Sequence, residues 1–169
     1  MALVISDSSI LIHLAAIGRL DLLQVFFQRV TVPPAVWREV VEQGGGRAGA
    51  AQVAQARQAG WISVAEPTDT TLLRLLRRDL DDGEAEAIAL GLERGSGLLL
   101  VDESDAREIA DLYDLPKTGS IGLLIRAKQE GIIELLRPEL DRLVHEGGFW
   151  IAEPLYHRAL ESVGETSQE

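Results

Sequence analysis

Apolar residues follow two different periods along this chain. Residues 2–5 (ALVI) and 98–101 (LLLV) are continuous apolar runs of strand length, as in parallel strands that are buried on both faces. Residues 30–32 and 61–64 are shorter strand candidates, and segments of helical period flank them. This alternation predicts an α/β/α sandwich, in which a central parallel sheet of about four or five strands has helices on both faces.

Helices are predicted from the residues that start or end them and from apolar positions three or four residues apart. Ser8 or Ser9 can cap a first helix that continues beyond Gly18, and Pro34 suits the first turn of the next helix. The three glycines at 44–46 end that second helix. Further helices are predicted at residues 48–58, 70–78, 84–94, 104–113, 121–129 and 134–144.

The composition narrows the classes of protein that this chain can belong to. It has no cysteine, so any bound metal needs oxygen or histidine ligands. No apolar run approaches the roughly 18 residues of a membrane span or forms a secretory signal, so we expect a cytoplasmic protein with no membrane partner. The net charge of −11 argues against a general nucleic-acid coat protein. A nuclease with a local basic rim is still allowed, and Arg74, Arg77 and Arg78 form the best basic patch.

Two aspartates follow the predicted buried strands, at the edge of the sheet where ligands collect in open parallel sheets. Asp7 comes just after the first strand, and Asp102 comes directly after residues 98–101. Either aspartate alone is equally well explained as the cap of the next helix. Two of them on two buried strands favour a functional site.

Two glutamates extend this candidate site. Glu84 opens a predicted helix and shares a small apolar stripe with Ala87, so its carboxylate needs a partner. A capping box with Asp81 is the structural alternative. Glu86 lies off that stripe and is predicted to be solvated. Glu39 precedes an apolar position in another helix and becomes a candidate only together with the other three acids.

A cluster of carboxylates suits a hard divalent cation. Mg²⁺ and Mn²⁺ take oxygen ligands and keep several waters. Such an ion can polarise a phosphodiester and lower the pKa of a bound water. Without the ion, two carboxylates about 4 Å apart repel each other by about 4 kcal/mol at an effective dielectric of 20. We therefore expect Mg²⁺ or Mn²⁺ as the cofactor, and no histidine is assigned as a base.

Short motifs occur in a fixed order along the chain: DSS at residues 7–9, VPPAVWREV at 32–40, DGEAEAI at 82–88, VDESDAR at 101–107, TGSIGLL at 118–124 and GGF at 147–149. The series resembles the PIN-domain family over nearly the whole chain. It is most similar to the prokaryotic branch that includes toxins of VapC type and uncharacterised relatives. The resemblance implies one PIN-like domain at residues 1–163, followed by a polar tail at 164–169.

What the resemblance implies is a Mg²⁺- or Mn²⁺-dependent endoribonuclease that hydrolyses RNA phosphodiesters, forms a homodimer and pairs with a small antitoxin protein. By position, the catalytic acids are Asp7, Glu39, Glu84 and Asp102. The implied metal ligands are Asp7, Glu84, Asp102 and Asp105. Glu103 is the alternative to Asp105 as the accessory acid, and many family members have aspartate where this chain has Glu84.

Five polar residues are candidates for substrate contacts: Ser9, Arg107, Lys117, Thr118 and Ser120. Ser9 can orient a metal-bound water or simply cap the first helix. The segment from Lys117 to Ser120 precedes a helix and can hold a phosphate at its N-terminus, although a plain cap by Ser120 explains it as well. Arg107 can contact RNA or pair with Asp111 one helical turn later. His13 is interpreted as a packing or partly exposed residue.

Two other classes of protein compete with the nuclease. In an α/β phosphatase or phosphoryl-transfer domain, Asp7 would be the nucleophile and Lys117 a phosphate clamp. Such enzymes commonly have a second aspartate two residues after the first, and this position is Ser9 here. A catalytically silent PIN-like module that only binds RNA or protein is the other alternative.

Overall fold

A five-stranded parallel sheet forms the centre of the molecule in the computed structural model, which describes residues 3–95 and 97–165. The strands are β1 (Val4–Ser6), β2 (Val30–Val32), β3 (Ile62–Val64), β4 (Leu98–Leu100) and β5 (Lys117–Thr118). They lie in the order β3-β2-β1-β4-β5, and every pair is parallel. Strands β2 and β3 therefore extend the sheet on one side of β1, and strands β4 and β5 extend it on the other side. The crevice at this reversal is where open α/β sheets bind ligands.

Helices cover both faces of this sheet. They are α1 (Ser8–Ala16), α2 (Leu22–Phe27), α3 (Pro34–Trp37), α4 (Ala48–Ala59), α5 (Thr70–Leu76), α6 (Asp82–Arg94), α7 (Ser104–Leu112), α8 (Ser120–Gln129), α9 (Leu136–His145) and α10 (Glu153–Ser162), with a π-helical segment at Arg38–Glu42 after α3. Successive strand residues enter different cores: Val4 packs with α1 and α4, whereas Ile5 packs with α6. This alternation follows from the pleat of a strand. The predicted α/β/α sandwich is confirmed.

Three local predictions about the elements were wrong. The first helix does not continue beyond Gly18, because Gly18 adopts a positive φ of 71° and separates α1 from α2. Neither Ser8 nor Ser9 caps α1, since Asp7 is the N-cap and its side chain accepts from the N–H of Ile10. Ser120 does not cap α8, because Gly119 is the N-cap and Ser120 is already the first helical residue. The segment before it, Lys117–Thr118, does precede a helix as predicted and in addition forms the strand β5.

The C-terminal part of the chain adds a third core beside the sandwich. Helices α8, α9 and α10 pack around Leu124, Leu140 and Leu160. Glu165, at the start of the predicted polar tail, accepts hydrogen bonds from the first two N–H groups of α9. Ala2 of the predicted first strand and residues 166–169 of the predicted tail lie outside the described residues. Within the described ranges, no helix has the length and apolar character needed to cross a membrane.

Candidate active site

The candidate site lies where β1 and β4 end side by side. Asp7 follows β1 directly, and its backbone N–H donates to Leu100 O of β4 at 3.1 Å. Asp102 follows β4 after one further residue, Val101. The parallel pairing of Ser6 with Leu100 keeps the two chain ends in register. The two aspartates predicted from the strand ends therefore lie at the same edge of the sheet.

Asp7 carries a buried carboxylate that is only partly satisfied. The residue is 1% exposed. Its Oδ1 accepts from the N–H of Ile10 at 3.2 Å, whereas Oδ2 is buried and has no hydrogen-bond partner among the described residues. Burial raises the pKa of Asp7 well above its ordinary value; the Ile10 bond opposes this rise, and the charges of Asp102 and Glu84 add to it. A carboxylate in this setting is stabilised by a positive charge.

Asp102, by contrast, is held by three hydrogen bonds. Its Oδ1 accepts from the Ser120 N–H at 2.7 Å, and its Oδ2 accepts from Ser120 Oγ at 2.6 Å. His13 Nδ1 also lies 2.7 Å from Oδ2 and donates to it, because an ionised carboxylate only accepts. The start of α8 thus binds a carboxylate of this chain. Ser120 and His13 fix the orientation of Asp102.

His13 is a residue whose role sequence reasoning missed. It does pack, with its ring edge-on to Phe149 at a centroid distance of 4.9 Å. It also joins α1 to Asp102, which lies 89 positions later in the chain. The only local signal is that His13 lies on the helix that Asp7 caps, less than two turns beyond that cap.

Glu84 lies in the first turn of α6, where Asp81 is the N-cap and accepts from the Glu84 N–H at 2.8 Å. Burial, a side-chain hydrogen bond to Asp81 and the negative charges of Asp81, Glu103 and Asp105 together raise the pKa of Glu84 to about 8. Glu84 therefore lies within a field of negative charge. Both Glu103 and Asp105 are exposed at the start of α7, so both alternatives for the accessory acid stay open.

Glu39 belongs to the π-helical segment that follows α3. Its Oε2 accepts from Ser8 Oγ at 2.7 Å, so Glu39 is joined to the residue next to Asp7. Ser8 makes this contact; Ser9 is half-buried on α1. Single π-helical turns often occur at functional sites, because the wider turn shifts a side chain relative to regular α-helix.

The prediction that Glu86 is solvated was wrong. Glu86 is 5% exposed, accepts from the N–H of Ala35 at 3.3 Å, and lies 3.8 Å from both Arg38 and Arg77. The reason is that α6 is buried on nearly all of its faces, from position 85 to position 91. Arg77 also pairs with Asp82 at 3.0 Å, so one arginine of the predicted basic patch is tied to α6.

The basic candidates for substrate contacts lie beside Asp102. Arg107 donates through Nη1 to Val101 O at 2.9 Å, and Lys117 pairs with the carboxylate of Asp111. Asp111, which was the alternative partner predicted for Arg107, therefore pairs with Lys117 instead. A cavity of about 350 Å³ lies here, and its lining includes Asp102, Arg107, Lys117, Thr118 and Phe149.

The donor atoms at this site have the chemistry that a hard cation requires. All of the candidate ligands are carboxylate oxygens. In the described ranges, however, no three acidic or histidine side chains converge on one point at metal-binding distance. The buried Oδ2 of Asp7 has no hydrogen-bond partner in the described ranges, and the acids around Glu84 give it a negatively charged environment. The residues therefore fit a divalent cation by their chemistry.

Gly119 allows the close approach of Asp102 to α8. A Cβ atom at this position would lie 2.7 Å from Asp102 Oδ1 and 3.2 Å from Val101 O. Gly119→Ala should therefore displace the Asp102 carboxylate and cost about 1–3 kcal/mol, because a hydrogen bond to a charged group is lost. Thermal unfolding checks this. Gly91→Ala is the matched control, since a Cβ there meets only ordinary contacts at 3.7 Å and a helix interior favours alanine. Equal melting temperatures for the two variants would contradict the role of Gly119.

Comparison with known families agrees with this geometry. The family model described as a PIN domain matches residues 3–165. The chain therefore belongs to the PIN-domain family, as the order of its motifs predicted. PIN domains are generally nucleases, and this supports a hydrolase activity for the chain. No curated protein matches the chain.

Proposed function

We propose that this protein is a divalent-metal-dependent endoribonuclease that hydrolyses RNA phosphodiesters. The buried Asp7 carboxylate, whose Oδ2 has no partner in the described residues, is the observation that carries the proposal. A purely structural N-cap needs one carboxylate oxygen and does not need a second one buried next to further acids. Asp102 and Glu84 both contribute negative charge at Asp7. An arrangement of this kind is stable with a cation and unfavourable without one.

Each acid has its own part in the proposed reaction. Asp7, Glu84 and Asp102 would hold Mg²⁺ or Mn²⁺, with Asp105 as the accessory ligand. The bound ion supplies positive charge for the phosphate and lowers the pKa of a water ligand. Ser120 and His13 keep Asp102 in place. Glu39, which Ser8 holds, is the proposed proton acceptor.

The substrate side of the proposal rests on the cavity next to Asp102. Arg107, Lys117 and Thr118 line that cavity and offer donors to a phosphate. Lys117 would exchange its carboxylate partner Asp111 for the substrate. Ser120 enters the proposal through Asp102, because its N–H and hydroxyl both donate to that carboxylate. Ser9 remains a candidate for orienting a water.

The proposal extends to the biological setting. As a toxin, the enzyme would act in the cytoplasm as a homodimer, and a small antitoxin protein would block it. The resemblance of its motifs to the prokaryotic branch that includes toxins of VapC type is the reason for these parts of the proposal. Growth arrest on expression of the wild type, relieved by co-expression of a neighbouring small gene, is the experiment that addresses them.

The decisive experiment is cleavage of a panel of structured RNAs. We expect internal cuts in the presence of Mn²⁺ and none in EDTA, because the carboxylates need the ion to act on a phosphodiester. Gel mapping of end-labelled RNA distinguishes internal cuts from trimming of the ends. A small phosphomonoester is assayed in parallel. Hydrolysis of the phosphomonoester without any cleavage of RNA would favour the phosphatase class and overturn the proposal.

A further inference from the structure

Trp150 is the most exposed of the large apolar side chains in residues 3–95 and 97–165, and it lies beside the candidate site. The residue is 82% exposed. It lines a cavity of about 380 Å³ together with Asp102 and Phe149. The other tryptophans, Trp37 and Trp61, are partly buried and pack against the core. An indole ring left in water next to a cavity of the candidate site offers a flat face on which a nucleic-acid base can stack.

The loop after α9 fixes the position of Trp150. Phe149 packs edge-on against His13, and its backbone N–H donates to a carbonyl of α9 at 3.1 Å. Gly148 has a φ of 68°, a left-handed conformation that glycine adopts without strain. His13 in turn donates to Asp102. Contacts with the site itself thus anchor the residue that precedes Trp150 and hold the indole near Asp102.

The charges around Trp150 indicate what the cavity accepts. Asp102 and Glu103 line it, so a phosphate group would be repelled, whereas an uncharged flat ring would not. The adjoining cavity shares Asp102 and carries Arg107 and Lys117. A nucleotide strand fits this pair of cavities when its backbone lies on the basic side and a base lies on the indole.

We propose that Trp150 stacks on an unpaired base of the RNA substrate, next to the bond that is cleaved. This inference rests on the proposed ribonuclease function and adds to it a residue that positions the substrate. Every base has a π face, so the contact tolerates any sequence. A base inside a duplex is already stacked on its neighbours and cannot reach the indole.

The test is single-turnover cleavage in Mn²⁺ of a labelled single-stranded oligoribonucleotide and of the same strand annealed to its complement. Trp150→Leu keeps an apolar side chain but has no π face. It should raise the half-saturating concentration for the single strand about tenfold, with little change in the rate at saturation. Trp150→Phe should recover most of the affinity. Val25→Ala, which truncates an exposed apolar side chain on α2, is the control and should behave as the wild type does.

The outcomes separate this inference from the proposed function. If the wild type cleaves RNA and Trp150→Leu has an unchanged half-saturating concentration, the stacking role is overturned and the ribonuclease stands. In a second outcome, no RNA is cleaved, yet single-stranded RNA quenches the tryptophan fluorescence of the wild type and does not quench that of Trp150→Leu. This result would support stacking and overturn the ribonuclease function. A change in sedimentation of Trp150→Leu, with equal losses on single strand and duplex, would identify Trp150 as a protein contact and overturn the inference.

Discussion

Asp7→Asn should reduce RNA cleavage by at least about 100-fold and should raise the melting temperature of the metal-free protein. Cleavage falls because a neutral amide is a poor ligand for the cation, and about 3 kcal/mol of lost transition-state stabilisation corresponds to this factor. Stability rises because burial raises the pKa of Asp7, so that its charged form is unfavourable in the folded state. The asparagine Oδ1 can still accept from the N–H of Ile10 and cap α1.

Asp69→Asn is the matched control for this experiment. Asp69 is also an N-cap, and its Oδ1 accepts from the N–H of Leu72 at 3.0 Å, but the residue is exposed on α5. Neutralising it should leave cleavage unchanged and leave the melting temperature equal or slightly lower, since a negative charge favours a helix N-terminus.

Thermal unfolding in EDTA and single-turnover cleavage in Mn²⁺ give the two readouts for both variants. In a domain of this size, each 1 kcal/mol of relief corresponds to about 2–4 °C. If Asp7→Asn melts several degrees below the wild type in EDTA, or cleaves RNA at the wild-type rate, then Asp7 is a structural cap and not part of a metal site.

The meeting of Asp7 and Asp102 at one edge of the sheet could be predicted from the sequence, because two general rules determine it. Continuous apolar runs mark buried parallel strands, and the carboxyl ends of such strands meet at one edge of the sheet. Asp7 and Asp102 follow two such runs, so their meeting needs no knowledge of other contacts. The exact partners of each aspartate depend on residues far away in the chain, and no local pattern encodes them.

Strand β5 and the environment of Asp102 show this limit. Lys117–Thr118 consists of two polar residues, and only its pairing with Leu99 and Leu100 makes it a strand. That pairing also brings Ser120 to Asp102. The hydrogen bond from His13 depends on the packing of α1 against the same edge. Such contacts form when the sheet is assembled, so sequence periodicity does not reveal them.

The two glutamates of α6 show a different limit. A stripe argument assumes that one face of a helix is exposed, and it placed Glu86 in solvent. Helix α6 packs against the sheet, α3 and α5, so Glu86 is buried; it accepts from the N–H of Ala35 and forms ion pairs with Arg38 and Arg77. Glu84 is the glutamate with the raised pKa. The stripe argument placed Glu84 on the buried face and Glu86 in solvent, whereas Glu86 is buried and Glu84 is half-buried.

The buried and clustered carboxylates of Asp7 and Glu84 make the stability of the protein depend on pH in a defined direction. In EDTA, the melting temperature of the wild type should fall as the pH rises from 5 to 8. The folded-state pKa of Glu84 is raised from 4.5 to about 8, and that of Asp7 is raised above 3.8. Between the unfolded and folded pKa values the folded state binds more protons, so the free energy of unfolding decreases with rising pH. Glu84→Gln should flatten this dependence.

Mn²⁺ should oppose this loss of stability, and it should do so most strongly at high pH. The ion binds deprotonated carboxylates of the folded state, so it competes with protons at Asp7 and Glu84. At pH 8 and a hundredfold excess over its dissociation constant, binding adds about 2.7 kcal/mol to the free energy of unfolding, which is about 5–10 °C in melting temperature. At pH 5 the increment should be much smaller. Glu86→Gln is the control: it should lower every melting temperature, because the ion pairs of Glu86 with Arg38 and Arg77 are lost, yet keep the wild-type Mn²⁺ increment. A Mn²⁺ increment that is independent of pH would contradict a metal site at Asp7 and Glu84. The same holds if Glu86→Gln abolishes the increment while Glu84→Gln retains it.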